Sequence, residues 1–347
     1  MRVLIDTTYT LRGPSGTAVY LERLIGALGE LGVEVIAAAN QRRGRPGGGA
    51  AHSARNFATD RAWETTALPR RAREANADVI HHPLPAISPT SGNPPQVVTV
   101  HDLAFETLPE CFAPGFRRWA QVSHRAAARR AAAVVTVSAT TAADAVTRWG
   151  LAPEHLVVAP HGPGQIEAEA PRREPRHFLY VGDDEPRKNL ALLLAAHRLY
   201  RERHAGKLPL VVAGAARASG AQAEPRPSPE RLRELYGEAA ALVHPSRAEG
   251  FGLTVLEAMA SGTPVIAAPC DGVQETCGTA ALYTADAEAM AAAMARVDAE
   301  PRLAEDLRER GLRRAGDFSW ARCAARHVEA YTLALHRVQR GVEDPCA

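Results

Sequence analysis

Residues 246–264 read SRAEGFGLTVLEAMASGTP, and the order of their parts decides how the chain folds. Before them comes an apolar, β-branched run, AALVHPS (240–246), that reads as a buried strand closed by a Pro-Ser turn. After the turn come Glu249, then Gly250 and Gly252 with a phenylalanine between them, and then a helix over about 253–261 rich in Leu, Val, Ala and Met. A strand, a tight glycine turn and an apolar helix make half of a βαβ unit. Strand PVIAA (264–268) supplies the other half and runs parallel to the first.

The same alternation extends in both directions. Upstream, RVLID (2–6), VEVIAAA (33–39), DVIHH (78–82), QVVTVH (96–101), AVVTVS (133–138) and LVVAP (156–160) are short apolar strands. Helical spacing lies between several of them, at 17–32, about 115–132 and 139–149. The Pro- and Gly-rich stretch PHGPGQIEAEAPRREPR (160–176) breaks the pattern and reads as a linker. Strands HFLYVG (177–182) and LPLVVAG (208–214) restart it, with helices from 188 and about 229, and the chain from 285 onwards reads as helical. RGRPGGG (43–49) and SGAQAEPRPSPE (219–230) read as loops. Two α/β sheets of buried parallel strands are therefore expected, with their strand C-termini facing a cleft. A length of 347 residues also exceeds what one core usually supports.

Composition excludes several classes. Hydrophobic residues at 46% and charged residues at 23% are those of a soluble globular chain, and a net charge of +2 gives no argument for nucleic acid. Cysteines 111, 270, 277, 323 and 346 form no CxxC pair and no zinc spacing. With no secretory segment at MRVLIDTTYT and no apolar run of spanning length, reduced thiols and a cytoplasmic location are expected, with the inner membrane face as a possible site. Of 41 basic residues only two, Lys188 and Lys207, are lysines, which makes Lys188 conspicuous.

Four features carry chemistry. The free N–H groups at the start of helix 253–261, behind two glycines, suit an anion such as a diphosphate. Glu257, about a turn inside, has a carboxylate able to accept from vicinal hydroxyls such as those of ribose, although a solvated acid on a glycine-started helix fits the spacing equally well. Arg187 and Lys188 open the helix from 188, where two cations oppose the dipole and call for an anion. The stretch YTLRGPSGTAVYL (9–21) suggests a phosphate-facing turn. It reads Gly-Pro-Ser-Gly rather than GxGxxG and no acid ends the second strand, so a dinucleotide-binding dehydrogenase is disfavoured. His81 and His82 are adjacent on a strand, point to opposite faces and are poorly placed to share a metal. The basic helix RRWAQVSHRAAARR (117–130) reads as a solvated face, with weak peripheral contact to anionic lipid as the alternative.

These segments resemble a known family. EGFGLTVLEAMASGTPVIA is similar to the Glu-seven-residues-Glu signature of family 4 glycosyltransferases, retaining enzymes of the GT-B fold with bacterial mannosyltransferase-like members. YVGDDEPRKNLALLLAA (180–196) resembles its phosphate-binding segment. VTVHDLAFETLPECF (98–112) and VVTVSATTAADAVTRWGLAPEHLVVAPHG (134–162) resemble its N-terminal domain. The resemblance implies an α/β chain of two Rossmann-like domains: an acceptor-binding domain over 1–162, joined by a C-terminal helix over 319–347, and a nucleotide-sugar-binding domain over 163–318.

It implies roles as well. His101, Arg187, Lys188 and Glu249 form the catalytic set. Gly13, Gly16, Gly182, Arg187, Lys188, Glu249, Gly250, Phe251, Gly252, Leu253 and Glu257 contact the donor, with the cations on the diphosphate, Glu249 on the transferred sugar and Glu257 on the ribose. The expected reaction moves a hexosyl group of mannose or glucose type from a GDP- or UDP-hexose to a glycan, lipid-linked or small-molecule acceptor. No cofactor, metal or nucleic acid is expected. A non-catalytic nucleotide-sugar-binding subunit, or an epimerase or glycan phosphorylase on the same fold, remains an alternative. Two departures stand out: the interval 214–230 is short where the family carries a further helix and strand, and PHGPG replaces the usual hinge sequence.

Overall fold

A computed structural model describes residues 1–12, 15–44, 49–88, 94–165, 170, 173–203, 208–214 and 219–339. They separate into two compact units. The first comprises Met1–Glu106, Ala113–His161 and the helix that begins at Trp320; the second comprises Thr107–Phe112 and Gly162–Ser319. The division departs from a single boundary near 162 at Thr107–Phe112, a short segment whose Glu110 and Cys111 bond the Arg247 guanidinium of the second unit.

The first unit contains strands β1 (Arg2–Asp6), β2 (Glu34–Ala38), β3 (Val79–His82), β4 (Gln96–Val100), β5 (Ala133–Thr136) and β6 (Leu156–Val158), all parallel, in the order β2-β1-β3-β4-β5-β6. Its helices are α1 (Gly16–Glu30), α2 (Gly49–Ala62), α3 (Leu68–Glu74), α4 (Ala104–Thr107), α5 (Pro114–Arg130) and α6 (Ala139–Trp149), with a π-helical turn at Trp63–Ala67 between α2 and α3. The Ser15 and Ser138 side chains cap α1 and α6 by accepting from Ala18 N and Thr141 N.

The second unit contains β7 (His177–Gly182), α7 (Leu190–Arg203), β8 (Leu210–Gly214), β9 (Gln222–Glu224), α8 (Pro229–Gly237), β10 (Ala239–His244), α9 (Leu253–Ala260), β11 (Val265–Ala267), α10 (Asp271–Cys277), β12 (Ala281–Tyr283), α11 (Ala287–Ala299) and α12 (Pro301–Ala315). Its parallel sheet runs β12-β11-β10-β7-β8-β9. Counted from β7, this is the 3-2-1-4-5-6 order of a dinucleotide-binding Rossmann sheet.

Two expectations are corrected here. The interval 219–230 is not all loop: Gln222–Glu224 forms edge strand β9, paired with β8, and it completes the order. The expected helix from 188 begins at Leu190. Pro186–Lys188 form a single 3₁₀ turn and Asn189 is left-handed at φ 52°, so the two cations precede the helix.

Helix α13 (Trp320–Gln339) packs in the first unit, burying Trp320, Cys323, Ala324, His327, Ala330, Tyr331 and Ala334 against α1 and the sheet. That spacing of three and four is one helix face. A buried polar chain fastens it. His327 Nδ1–H donates to the Cys323 carbonyl at 2.8 Å, so its Nε2 accepts from the Tyr20 hydroxyl, also at 2.8 Å. Tyr20 then accepts from Thr99 (2.9 Å), Thr99 from His81 Nε2–H (2.8 Å), and His81 Nδ1 from the Tyr331 hydroxyl (2.8 Å). Every proton has one assignment, and both ends of the chain lie on α13. Burial lowers both imidazoles, His327 to about 4 and His81 well below its ordinary value, which keeps the chain neutral. His82 takes a different partner, donating from Nε2 to the Gln96 side chain at 3.0 Å.

Candidate functional site

In the second unit the strand order reverses between β7 and β10, and ligands of open α/β sheets bind beyond the strand C-termini at such a point. The loops leaving these two strands carry the predicted residues. Gly182 ends β7, and Arg187 and Lys188 follow it. His244 ends β10, and Glu249, Gly250, Phe251 and Gly252 lead into α9. Neighbouring strands thus bring together residues about sixty positions apart. The two loops also bond through their backbones, Arg247 N–H donating to the Arg187 carbonyl at 2.8 Å.

Glu249 is the hub. Lys188 Nζ lies 2.6 Å from its Oε1, Arg187 Nη1 lies 3.2 Å from its Oε2, and His244 Nε2 stands 3.4 Å from Oε1. Arg187 also donates to the Ala248 carbonyl at 3.1 Å and pairs with Glu185 at 3.0 Å. Burial on its own would raise the Glu249 carboxyl, but the Lys188 charge, His244 and Arg187 outweigh it and hold the group well below the carboxylate range. His244 is lowered by its burial, with Glu249 acting in the opposite sense. Its Nδ1 lies 3.3 Å from the Thr254 hydroxyl. The anion expected opposite the two cations is therefore supplied by the chain itself.

Gly252 caps α9 with φ 93°, a left-handed backbone conformation that favours glycine. Phe251 is buried edge-on to Phe318, and Leu253 begins the helix half-buried. Glu257, on the inner face of α9, accepts from Gln165 N–H at 2.7 Å and from the Tyr236 hydroxyl at 3.1 Å.

Four neighbours of the site were not singled out in the sequence: His244, Tyr236, Gln165 and Gly272. A Cβ on Gly272 would lie 2.1 Å from the Glu249 carbonyl oxygen, so this glycine lets α10 close on the site loop. The strand-end His-Pro-Ser run is a visible signal for His244. The other three are set by contacts between distant segments.

The remaining predicted residues belong to the first unit. His101 follows β4, donates from Nε2 to the Pro83 carbonyl at 3.0 Å, and meets Tyr20 edge-on at 5.0 Å. Burial lowers it, with Asp102 acting in the opposite sense. Gly16 is the first residue of α1, and Gly13 lies outside the described residues. Helix α5 buries Ala120, Ala127 and Ala128 and exposes Phe116 and Val122. Among the described residues, no helix is long and apolar enough to cross a membrane, and Cys111, Cys270, Cys277 and Cys323 are free thiols.

Comparison with known proteins agrees with this architecture. The model described as Glycosyltransferase Family 4 matches residues 14–163, and that described as Glycosyl transferases group 1 matches residues 175–299. The chain is 27% identical over 266 residues to an O-antigen chain mannosyltransferase B of Escherichia coli, the match spanning 68% of this chain and 70% of the relative. It is 32% identical over 248 residues to an MMP alpha-(1->4)-mannosyltransferase of Mycolicibacterium hassiacum, covering 65% of this chain and 60% of the relative.

Among solved structures, a sucrose-phosphate synthase from Thermosynechococcus elongatus superposes with a TM-score of 0.78 at 21% identity, over 99% of this chain and 100% of the other. Anabaena HepE, solved with UDP and glucose, gives 0.67 at 15% identity, over 95% and 99%. The two family models follow one another along most of the sequence, each on a Rossmann-like sheet of its own, and the chain belongs to the family 4 glycosyltransferases and has the GT-B fold.

Proposed function

We propose that the chain is a retaining, metal-independent hexosyltransferase that uses a nucleoside-diphosphate sugar. The observation that carries this is the Lys188–Arg187–Glu249 cluster at the switch point, beside the start of α9. Two cations paired with internal carboxylates, both with Glu249 and Arg187 also with Glu185, are held ready to exchange partners. The donor diphosphate takes over Lys188 and Arg187, and the freed Glu249 carboxylate accepts from hydroxyls of the transferred sugar. Gly252 and Leu253 offer backbone N–H groups to the phosphates, and Glu257 accepts from the ribose.

The C1–O bond to the diphosphate then breaks while the acceptor oxygen bonds to C1 on the same face. The acceptor proton passes to the departing phosphate oxygen. Lys188 and Arg187 stabilise the charge that builds there, which is the task a divalent ion performs elsewhere. With the freed Glu249 carboxylate committed to the hydroxyls of the transferred sugar, it is not assigned as a nucleophile, which favours front-face substitution. The family resemblance assigns His101 a contact to the sugar; its Nε2–H is donated to the Pro83 carbonyl.

The mannosyltransferase relatives favour transfer of a mannosyl group, for which we propose GDP-mannose as donor. A UDP-hexose is the alternative, HepE having been solved with UDP and glucose. Weak peripheral contact with anionic lipid through α5 is part of the proposal, on the strength of its arginines and exposed Val122.

Thermal-shift titrations with UDP, GDP, ADP and dTDP, followed by nucleotide release from GDP-mannose and UDP-glucose, test the reading. Stabilisation by at least one nucleotide is expected. No shift with any of the four at millimolar concentration contradicts it. Turnover surviving EDTA is expected, and its complete loss contradicts the metal-free scheme.

A further inference from the structure

Glu257 is only 5% exposed, and its carboxylate is gripped from two sides before any ligand arrives. On the inner side, the Tyr236 hydroxyl at the end of α8 lies 3.1 Å from Oε2 and 3.4 Å from the Thr254 carbonyl. A phenol has one proton, and the carboxylate is both nearer and the stronger acceptor. Tyr236 is itself fixed: its ring is buried and its carbonyl accepts from the Thr263 hydroxyl at 2.9 Å. Burial and the Glu257 charge push the phenol well above its ordinary range, so it stays a donor.

On the outer side, Gln165 N–H donates to Oε1 at 2.7 Å. Gly164 packs so closely that a Cβ there would lie 2.1 Å from Oε1 and 3.0 Å from Cδ. Donors on both oxygens fix the plane of the carboxylate.

We propose that Tyr236 and the Gly164–Gln165 backbone are positioning groups that pre-set the Glu257 carboxylate for the vicinal hydroxyls of a ribose, making the site selective for ribonucleotides. The inference rests on the nucleotide-sugar reading above. A diol that reaches this carboxylate meets acceptors already fixed in plane, and a polar group preset in this way discriminates against an analogue that lacks the hydroxyls. Tyr236, Gln165 and Glu257 come from three separate segments, so the alignment belongs to the fold of the unit rather than to α9.

The test is calorimetric titration of UDP, GDP and their 2′,3′-dideoxy counterparts into the wild-type chain, Tyr236→Phe, Glu257→Ala and the double variant. Tyr236→Phe is expected to weaken the ribonucleotide about tenfold, to leave the dideoxy analogue unchanged, and to add nothing when Glu257 is already alanine. Gly164→Ala, which displaces the carboxylate from the other side, is expected to give the same ribose-only loss and serves if Tyr236→Phe folds poorly. Equal losses for both nucleotide types, additive losses with Glu257→Ala, or a lowered melting temperature with unchanged affinity would reduce Tyr236 to a packing residue and overturn the proposal. Wild-type protein that binds neither UDP nor GDP would instead overturn the nucleotide-sugar reading, and this inference with it.

Discussion

Replacing Lys188 by alanine is the perturbation that bears most heavily on the chemistry. Around Glu249 the wild-type cluster has Lys188 at 2.6 Å and Arg187 at 3.2 Å, two cations for one carboxylate. Removing Lys188 leaves Arg187 alone against two carboxylates, Glu249 and Glu185, and takes one positive charge from the switch point. A full charge at ~4 Å in an effective dielectric of ~20 interacts by ~4 kcal/mol. If about half a charge develops on the leaving diphosphate, the differential loss is ~2 kcal/mol, or ~30-fold in rate. Loss of one donor from an oxyanion-type site costs up to ~1000-fold, so a fall in kcat on the order of a hundredfold is expected.

A second signature follows from Glu249. Its burial, no longer opposed by Lys188, raises the carboxyl from its depressed position. Activity of the variant therefore falls as pH drops through that raised value, where the wild type stays flat. The assay is release of GDP from GDP-mannose or UDP from UDP-glucose under saturating donor, with Lys188→Arg as the charge-keeping control. A folded Lys188→Ala protein with kcat within about twofold of wild type would refute the reasoning.

Glu257→Ala is expected to weaken nucleoside diphosphate binding in calorimetry by tenfold or more, on the order of the loss of two charge-assisted hydrogen bonds; unchanged affinity contradicts the ribose role. His82 and His327 sit at about 4 against 6.5 in an open chain, so the unfolded chain binds more protons between these values. Stability then falls as pH drops from about 6.5 towards 4, by ~3 kcal/mol for each ring, and is flat above that window; urea unfolding at pH 7.5, 6 and 5 measures it. Tyr20→Phe strands His327 Nε2 and the Thr99 hydroxyl in the first unit's core and is expected to cost about 1–3 kcal/mol in the same unfolding experiment. Gly272→Ala drives a Cβ into the Glu249 carbonyl, 2.1 Å away, and is expected to lower both the melting temperature and donor turnover, because rigid backbone must move by the site loop.

Most of the α/β alternation is written in the sequence because buried parallel strands must be apolar on both faces, as RVLID, QVVTV and LVVAG are. Strand β9 is illegible for the complementary reason. Gln222–Glu224 lies at the sheet edge, is partly exposed, and sits between glycine and proline, so neither periodicity nor propensity marks it. Helices α2 and α3 carry alanine and arginine with little apolar contrast, so residue spacing does not mark them.

At the site, Lys188, Arg187, Glu249 and Glu257 were visible as residue types in telling positions. Their ion pairing was not, because it depends on β7 and β10 becoming neighbours across five intervening elements. The partners of Glu257 were hidden more deeply: Tyr236 is 21 residues away and Gln165 is 92. The chain from Tyr331 through His81, Thr99 and Tyr20 to His327 likewise joins segments that only the folded first unit brings together.

The most direct measurement is a crystal structure of the protein with the nucleoside diphosphate that stabilises it best. The account predicts the two phosphates against Lys188 Nζ, the Arg187 guanidinium and the first amides of α9, with Glu249 released from its cations and the ribose hydroxyls on Glu257. Phosphates bound away from the β7–β10 switch point, with the Lys188–Glu249 pair intact, would contradict it.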